Sequence, residues 1–543
     1  MRPPSRASLQ ALLREAGVLL LFLGLAAFAT RPLASDLVGQ TLAGPDPLID
    51  LWTVHWLSGH LLPPSDLFGG NIFHPAPHAV VYSDVSLGTA VLLLPLRALV
   101  SDPVPLYNLG LLMALTFGGW AFCLLTRSLT GSTSAGLVAG VLAAFGSHQL
   151  YHAYHMNLLT TGWLALLLVG LHGIASGGGF RWAALAGVSF ALSAQSSGYY
   201  AVAAALLALV FAVAHWRRLL ERRALLAVCG AAALALVLTL PYARAFLDAR
   251  EREGLRRPPR MSERMAFQPG RDLTSHGYLY RGLLGSEGER LFPGLLAPVL
   301  GLLALRRRAP HSGFYAGAAA LLVVVSLGPR LELLGLSAPL PYRALFGLPP
   351  LDTMRHPYTF AAVATFLLSV LAGVGWGTVK PRPWAGAAVV IAAILETLSP
   401  PLAVRGIPPG LPPAYRRLET LPPGPILEVP VFSEDTLLWA ARHGRPVLNG
   451  VGAFVPRQTQ ALETAVRNHW LKGAPESVDD SKPTELLRET PVRYVILPTG
   501  RVPRMSRLAA AFERSSAFRL VAEVEDGDRI YELTRPSPSN ASP

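Results

Sequence analysis

About eleven runs of apolar residues constrain this chain more than any other feature. They lie at 12–30, 105–126, 132–149, 157–176, 180–196, 199–216, 222–243, 291–306, 311–328, 357–378 and 383–400, and most approach the length that crosses a ~30 Å hydrocarbon core. Of the 543 residues 51% are hydrophobic and only 15% charged, where a soluble chain carries roughly a quarter charged residues. The fold class expected is an all-α polytopic membrane protein.

The loops between these runs orient them. Short loops with Arg127, Arg181, "WRRLLERR" at 216–223, "RRR" at 306–308 and "VKPRP" at 379–383 should face the cytoplasm, because short cytoplasmic loops collect Arg and Lys. The segments 31–104, 150–156, 197–198, 244–290 and 329–356 then face outward, as does the tail from 401. Run 86–100 is apolar but short, with Pro95 and Arg97, and reads as an interfacial or re-entrant helix. The outward loop 244–290 is rich in Arg, which an anionic ligand or lipid headgroup would explain. The N-terminus has basic residues and then an apolar stretch, as in a signal peptide or an uncleaved first helix. The segment after it is exported in both cases.

Net charge is +13, yet the positive residues sit mostly between apolar runs, so no nucleic-acid partner is expected. Cys123 and Cys229 lie inside apolar runs and supply neither a disulfide framework nor metal-ligand spacing. Walker A, HExxH, GxSxG and paired CxxC patterns are missing. Ionisable residues in mid-span are nearly absent, with Glu396 near a span end, which argues against a secondary transporter.

From 401 the character changes. A Pro-rich stretch leads to short alternating segments at 426–432, 492–498, 518–524 and 529–534, with a helical stretch around 457–471. This predicts a small exterior α/β domain over 401–534, followed by a disordered tail at 535–543. The membrane domain is 1–400, with its first exterior loop at 31–104.

That first loop gathers the Asp and His residues. Asp46 in "GPDPLIDLW" can cap the helix beginning at Pro47. Trp52 and Trp56, at i and i+4, make one aromatic face suited to the membrane boundary. Asp84 opens the helix at 86, as a cap or as a metal ligand. His148, His152 and His155 in "HQLYHAYHMN" share one face if the segment is helical, as interfacial residues or as metal ligands. Arg355 and His356 in "DTMRHPYTF", Arg343 in "PYRALF" and Arg244 in "PYARAF" stand at outward span ends. There a guanidinium can grip a phosphate through two hydrogen bonds or snorkel to headgroups.

The layout resembles the GT-C superfamily, integral-membrane glycosyltransferases that take sugars from polyprenyl-phosphate carriers. Asp46 falls where that family's loop acid lies. "FHPAPHAVVYSDVSLG" followed by "LLLPLRALV" is similar to its His/Pro-rich approach to a surface helix. Patterns such as "MRHPYTFAAVATFLLSVLAGVG" and "ILEVPVF" also look like a set of bacterial polytopic membrane proteins with no assigned reaction. The chain departs from the superfamily in having Asp46–Pro47 in place of two adjacent acids, and histidines where its second loop often has Asp.

The resemblance implies transfer of a sugar from a polyprenyl phosphate to a lipid, glycan or protein acceptor, at the exterior face of a bacterial inner membrane. Asp46 would be the base. Arg355, His356, Arg343, Arg244, Asp84, His74 and His78 would bind substrate, and a divalent Mg or Mn could use Asp84 and His155. The competing reading is a non-catalytic protein on the same fold, a lipid or polysaccharide export factor or an assembly scaffold.

Overall fold

A computed structural model describes residues 6–535 except 286, 334–335, 341, 344–350, 380–381 and 473–476. The expected disordered tail lies outside the described residues from 536 onward.

Each apolar run falls on a helix, the structure that satisfies its own backbone polar groups within lipid. Gln10–Ala29, Pro103–Thr130, Met156–Ala175, Arg222–Glu253 and Tyr358–Gly377 are long and apolar enough to cross a membrane. The shorter apolar helices Phe180–Ala194, Gly198–Ala214, Leu296–Arg306, Ser312–Ser326 and Trp384–Thr397 complete the bundle together with Thr133–Phe145. Local chemistry sets their ends. Asp102 accepts the Val104 N–H at 2.9 Å ahead of Pro103, and Gly131, at φ +70°, closes the same helix in the left-handed region that glycine tolerates. Small residues let the helices approach closely: a Cβ on Gly375 would sit 1.9 Å from the Leu300 carbonyl oxygen.

The 86–100 run forms the helix Leu87–Arg97 of 11 residues. At 1.5 Å per residue it is about 16 Å long, well short of a ~30 Å core. The helix Asp46–His60 lies beside it. The expected boundary-facing Trp pair is only half present: Trp52 is buried and donates to Asn71 Oδ1 at 2.8 Å, while Trp56 stacks on His60.

The chain's last third builds a four-stranded sheet. In spatial order its strands are Ile426–Glu428, Tyr494–Leu497, Arg529–Leu533 and Phe518–Glu523. The first pair is parallel and the others antiparallel. Leu427, Val495, Trp470, Phe512 and Tyr531 form the core behind it. The first strand stops at Glu428 rather than running to 432, since Pro430 has no N–H for a ladder.

This part is stitched to the first loop by backbone hydrogen bonds. Phe73 N–H donates to Asn449 O at 2.9 Å, Val447 N–H to Asn71 O at 2.7 Å and Phe454 N–H to Tyr82 O at 2.8 Å. Gln40–Leu42 pairs antiparallel with Val404–Gly406.

Candidate active site

Where the sheet region meets one end of the helix bundle, the fold encloses a cavity of about 440 Å³. Its walls come from segments far apart in sequence. The first loop supplies Asp46, Asp50 and Asp84, and the 155–158 turn supplies His155 and Asn157. Tyr199 comes from the start of Gly198–Ala214, and Tyr242 and Phe246 from Arg222–Glu253. Arg257, Arg355 and His356 follow, and Val451–Phe454 form a roof.

Asp46 is the first residue of its helix, and its carboxylate meets the His155 ring, Oδ2 to Nε2, at 3.4 Å. Both side chains stay partly open to the cavity. The hydrogen bond from His155 holds the Asp46 carboxyl below the ordinary carboxylate range. Burial opposes this, and the charges of His155 and Arg355 add to it. Asp46 is thus an ionised carboxylate in reach of a ligand.

Asp84 is buried. It accepts Asn157 Nδ2 at 2.7 Å and the Gly198 N–H at 3.3 Å, so instead of capping the helix at 87 it ties the first loop to two other segments. Burial raises its pKa, against the Gly198 N–H and the charges of His155 and Arg355. Asp50, one turn beyond Asp46, accepts the Met156 N–H at 2.8 Å and Ser86 Oγ at 3.3 Å. Burial pushes it up to about 7. By gripping Met156 it positions the neighbouring His155.

On the facing wall Tyr199 Oη accepts the backbone N–H groups of Arg355 and His356, at 3.0 and 2.9 Å. This presents both side chains to the cavity. Burial, then the Arg355 charge, pushes His356 down to about 4, leaving it neutral. Arg257 stands over the Phe454 ring at 4.2 Å and donates to the Ala453 carbonyl oxygen. Burial, then Arg355, lowers its pKa. Two mutually repelling guanidiniums on one cavity suit an anionic ligand, which would relieve the repulsion.

The cavity therefore brings together Asp46, Asp84, His155, Arg355 and His356 from among the candidate residues. His74, His78, Arg244 and Arg343 do not line it. His74 donates its backbone N–H to Val447 O at 2.9 Å, in the stitched stretch. His78 Nε2 lies 3.2 Å from Asp248 Oδ2. Arg244 is exposed: at about 100° per residue, a position midway between Tyr242 and Phe246 points away from the face those two present. Arg343 is exposed too.

The three-histidine helical face does not form. The helix Ser147–Tyr151 ends early, and His148 and His152 turn to Glu289, with His148 Nδ1 3.1 Å from its carbonyl oxygen and His152 Nε2 3.2 Å from Oε2. Only His155 reaches the cavity. Among the described residues, Asp46, Asp84 and His155 do not close into a set whose ligand atoms all lie within 4.8 Å of one another. Asp84 is engaged by Asn157 and Gly198.

Asp50, Arg257 and Tyr199 were not among the residues expected to form the site. The Arg-rich outward loop was a signal for Arg257, but it carried too many arginines to single one out.

No protein-family model and no curated protein matches the chain by sequence. The structure of the arabinofuranosyltransferase AftD from Mycobacteria superposes on 96% of this chain and 41% of its own, with a TM-score of 0.52 and 14% identity. The chain has the GT-C fold. ArnT from Cupriavidus metallidurans bound to undecaprenyl phosphate aligns at a TM-score of 0.49 and 13% identity, over 97% of this chain and 99% of that one. AglB from Archaeoglobus fulgidus, solved with an inhibitory peptide and a dolichol-phosphate, aligns at 0.45 and 11%, over 97% and 75%. In the GT-C frame of this chain, the cavity lies between the first loop and the roof.

Proposed function

We propose that this protein is a glycosyltransferase that takes a sugar from a polyprenyl phosphate in the membrane and passes it to a hydroxyl acceptor. The carrying observation is the convergence on one cavity of an ionised carboxylate, Asp46, and two guanidiniums, Arg355 and Arg257. Fold alone does not decide function; this constellation supplies the two things the chemistry needs.

In the step proposed, the acceptor oxygen forms a bond to the anomeric carbon while the carbon–oxygen bond to the phosphate breaks. The electron pair leaves with the phosphate, and Arg355 and Arg257 balance its charge. The acceptor proton passes to Asp46, with His155 holding that carboxylate in place. A single displacement inverts the anomeric centre. Tyr242, Phe246, Ile49 and Leu158 give the cavity an apolar side suited to the first units of a polyprenyl chain.

In this reading the cavity faces the exterior of a bacterial inner membrane; the Arg-rich short loops at the opposite ends of the spans support that orientation. Eleven spans belong to a membrane domain over 1–400, with the α/β domain 401–534 outside. The donor sugar and acceptor are those of a lipid, glycan or protein glycosylation step.

The test is binding and turnover by the detergent-purified chain with undecaprenyl phosphate and radiolabelled undecaprenyl-phosphate sugars. Asp46→Asn should retain lipid binding and lose release of the sugar, while Arg257→Ala with Arg355→Ala should lose lipid binding. Lipid binding that ignores the two arginines, with sugar release that ignores Asp46, would refute the assignment.

A further inference from the structure

At the end of the bundle opposite the cavity, three histidines from three helices converge. His172 lies in the last turn of Gly162–Ala175, His215 caps the end of Gly198–Ala214, and His311 immediately precedes Ser312–Ser326. One ring nitrogen from each lies within 4.8 Å of the other two. The ring centroids are 4.6 Å apart for His172 and His311, and 5.7 and 5.8 Å for the pairs involving His215. Among the described residues this is the group of three or more His, Cys, Asp or Glu side chains that comes together so closely.

Two of the rings have one nitrogen engaged by a neighbour, which leaves the other for a ligand. His172 Nε2 is 3.0 Å from Oη of the buried Tyr315, and His215 Nδ1 is 3.1 Å from the Phe211 carbonyl oxygen. A metal-ligating histidine is held in just this way, its other nitrogen engaged so that tautomer and ring direction are set. Phe211 and Phe314 pack against the rings, while the exposed Arg218 is near enough for its charge to act on His311. His311 adopts φ +64°, a left-handed backbone that non-glycine residues seldom take, and which tends to persist where function requires the side chain's placement.

We propose that His172, His215 and His311 bind one divalent transition metal of the zinc class. Three imidazoles and no carboxylate favour Zn²⁺, Co²⁺ or Ni²⁺ over Mg²⁺ or Mn²⁺. Bonds of ~2.1 Å put ligand nitrogens roughly 3.4 Å apart in a tetrahedron, so the rings need to close by little more than an ångström. The role is structural. The helix Gly198–Ala214 links Tyr199 at the cavity to His215 at the metal, and its 17 residues span about 25 Å, too far for the ion to touch substrate. It clamps three helix ends instead. This inference is independent of the proposed transfer reaction.

The test uses the full-length, tag-free protein in detergent. Wild type should take up one Zn²⁺ in competition with a chromophoric chelator, show Co²⁺ absorption bands of a tetrahedral site, and melt at a higher temperature with metal than without. The His215→Ala/His311→Ala double variant should lose all three responses, and Tyr315→Phe should weaken Zn²⁺ by about 10–100-fold. If the double variant does not fold, His311→Gln, at a half-buried position outside the helices, carries the same readouts. Wild type taking up no metal, or variants binding it as wild type does, would overturn the proposal.

Discussion

Asp50→Asn isolates a cavity acid that burial carries to near neutral pH. The carboxyl is buried, and its pKa stands at about 7 against an ordinary 3.8. The folded state therefore holds the proton more tightly than the unfolded one. Below the unfolded value the group does not affect stability; as pH rises towards the folded value stability is lost, and above it the loss is constant. A gap of this size amounts to about 4 kcal/mol in full, and roughly 2–3 kcal/mol of it arrives between pH 5 and 8.

Asparagine does not titrate and keeps an oxygen for the Met156 N–H. The stability difference between variant and wild type should then move in favour of Asn by roughly 2–3 kcal/mol from pH 5 to pH 8. Unfolding followed by tryptophan fluorescence in detergent, at four pH values for both proteins, measures it. A difference that stays constant across that range would show that Asp50 is not a buried titrating acid, and the account of how it holds the 155–158 turn would fall with it.

Four further expectations concern single side chains. Asp46→Asn should slow sugar transfer by about 10²–10⁴-fold, the usual weight of a general base, and a turnover assay at saturating donor reads it. Arg355→Ala and Arg257→Ala should each weaken polyprenyl-phosphate binding by about 1.5–3 kcal/mol, roughly 10–150-fold, measured by lipid titration. Tyr199→Phe removes the acceptor for two backbone N–H groups; it should cost about 1–3 kcal/mol in unfolding measurements and lower kcat/KM. Asn449→Ala should destabilise by about 2–4 kcal/mol, because Asn449 is fully buried, donates to Glu428 O and Val431 O and accepts the Glu428 N–H; thermal unfolding checks it.

The helices were legible because hydrophobic runs report directly on burial in lipid. The side of the bundle on which the site forms was legible too. Asp46, Asp84, His155, Arg257, Arg355 and Phe454 all come from segments that the Arg-rich short loops assign to one face. What stayed hidden was direction around a helix and exchange of partners between distant segments. Arg244 and Arg257 belong to one basic stretch, yet a half-turn of helix and one contact with Phe454 separate a solvent-facing guanidinium from one in the cavity. His148, His152 and His155 fit a helical face on paper; the helix ends at Tyr151, and two of the three meet Glu289, 138 positions beyond Tyr151. The His172, His215 and His311 group had no sequence signature, since its members are dozens of residues apart and meet only when helix ends are brought level.

The roof over the cavity, Val451–Phe454, comes from far downstream of the first loop that it covers. Its hydrogen bonds to Tyr82 and its neighbours' bonds to the first loop mean that the first loop waits for a segment far downstream before the chamber can close. A nascent or truncated chain can therefore insert every one of its spans and still have no enclosed site. The enclosed chamber exists only once residues 451–454 have joined the first loop.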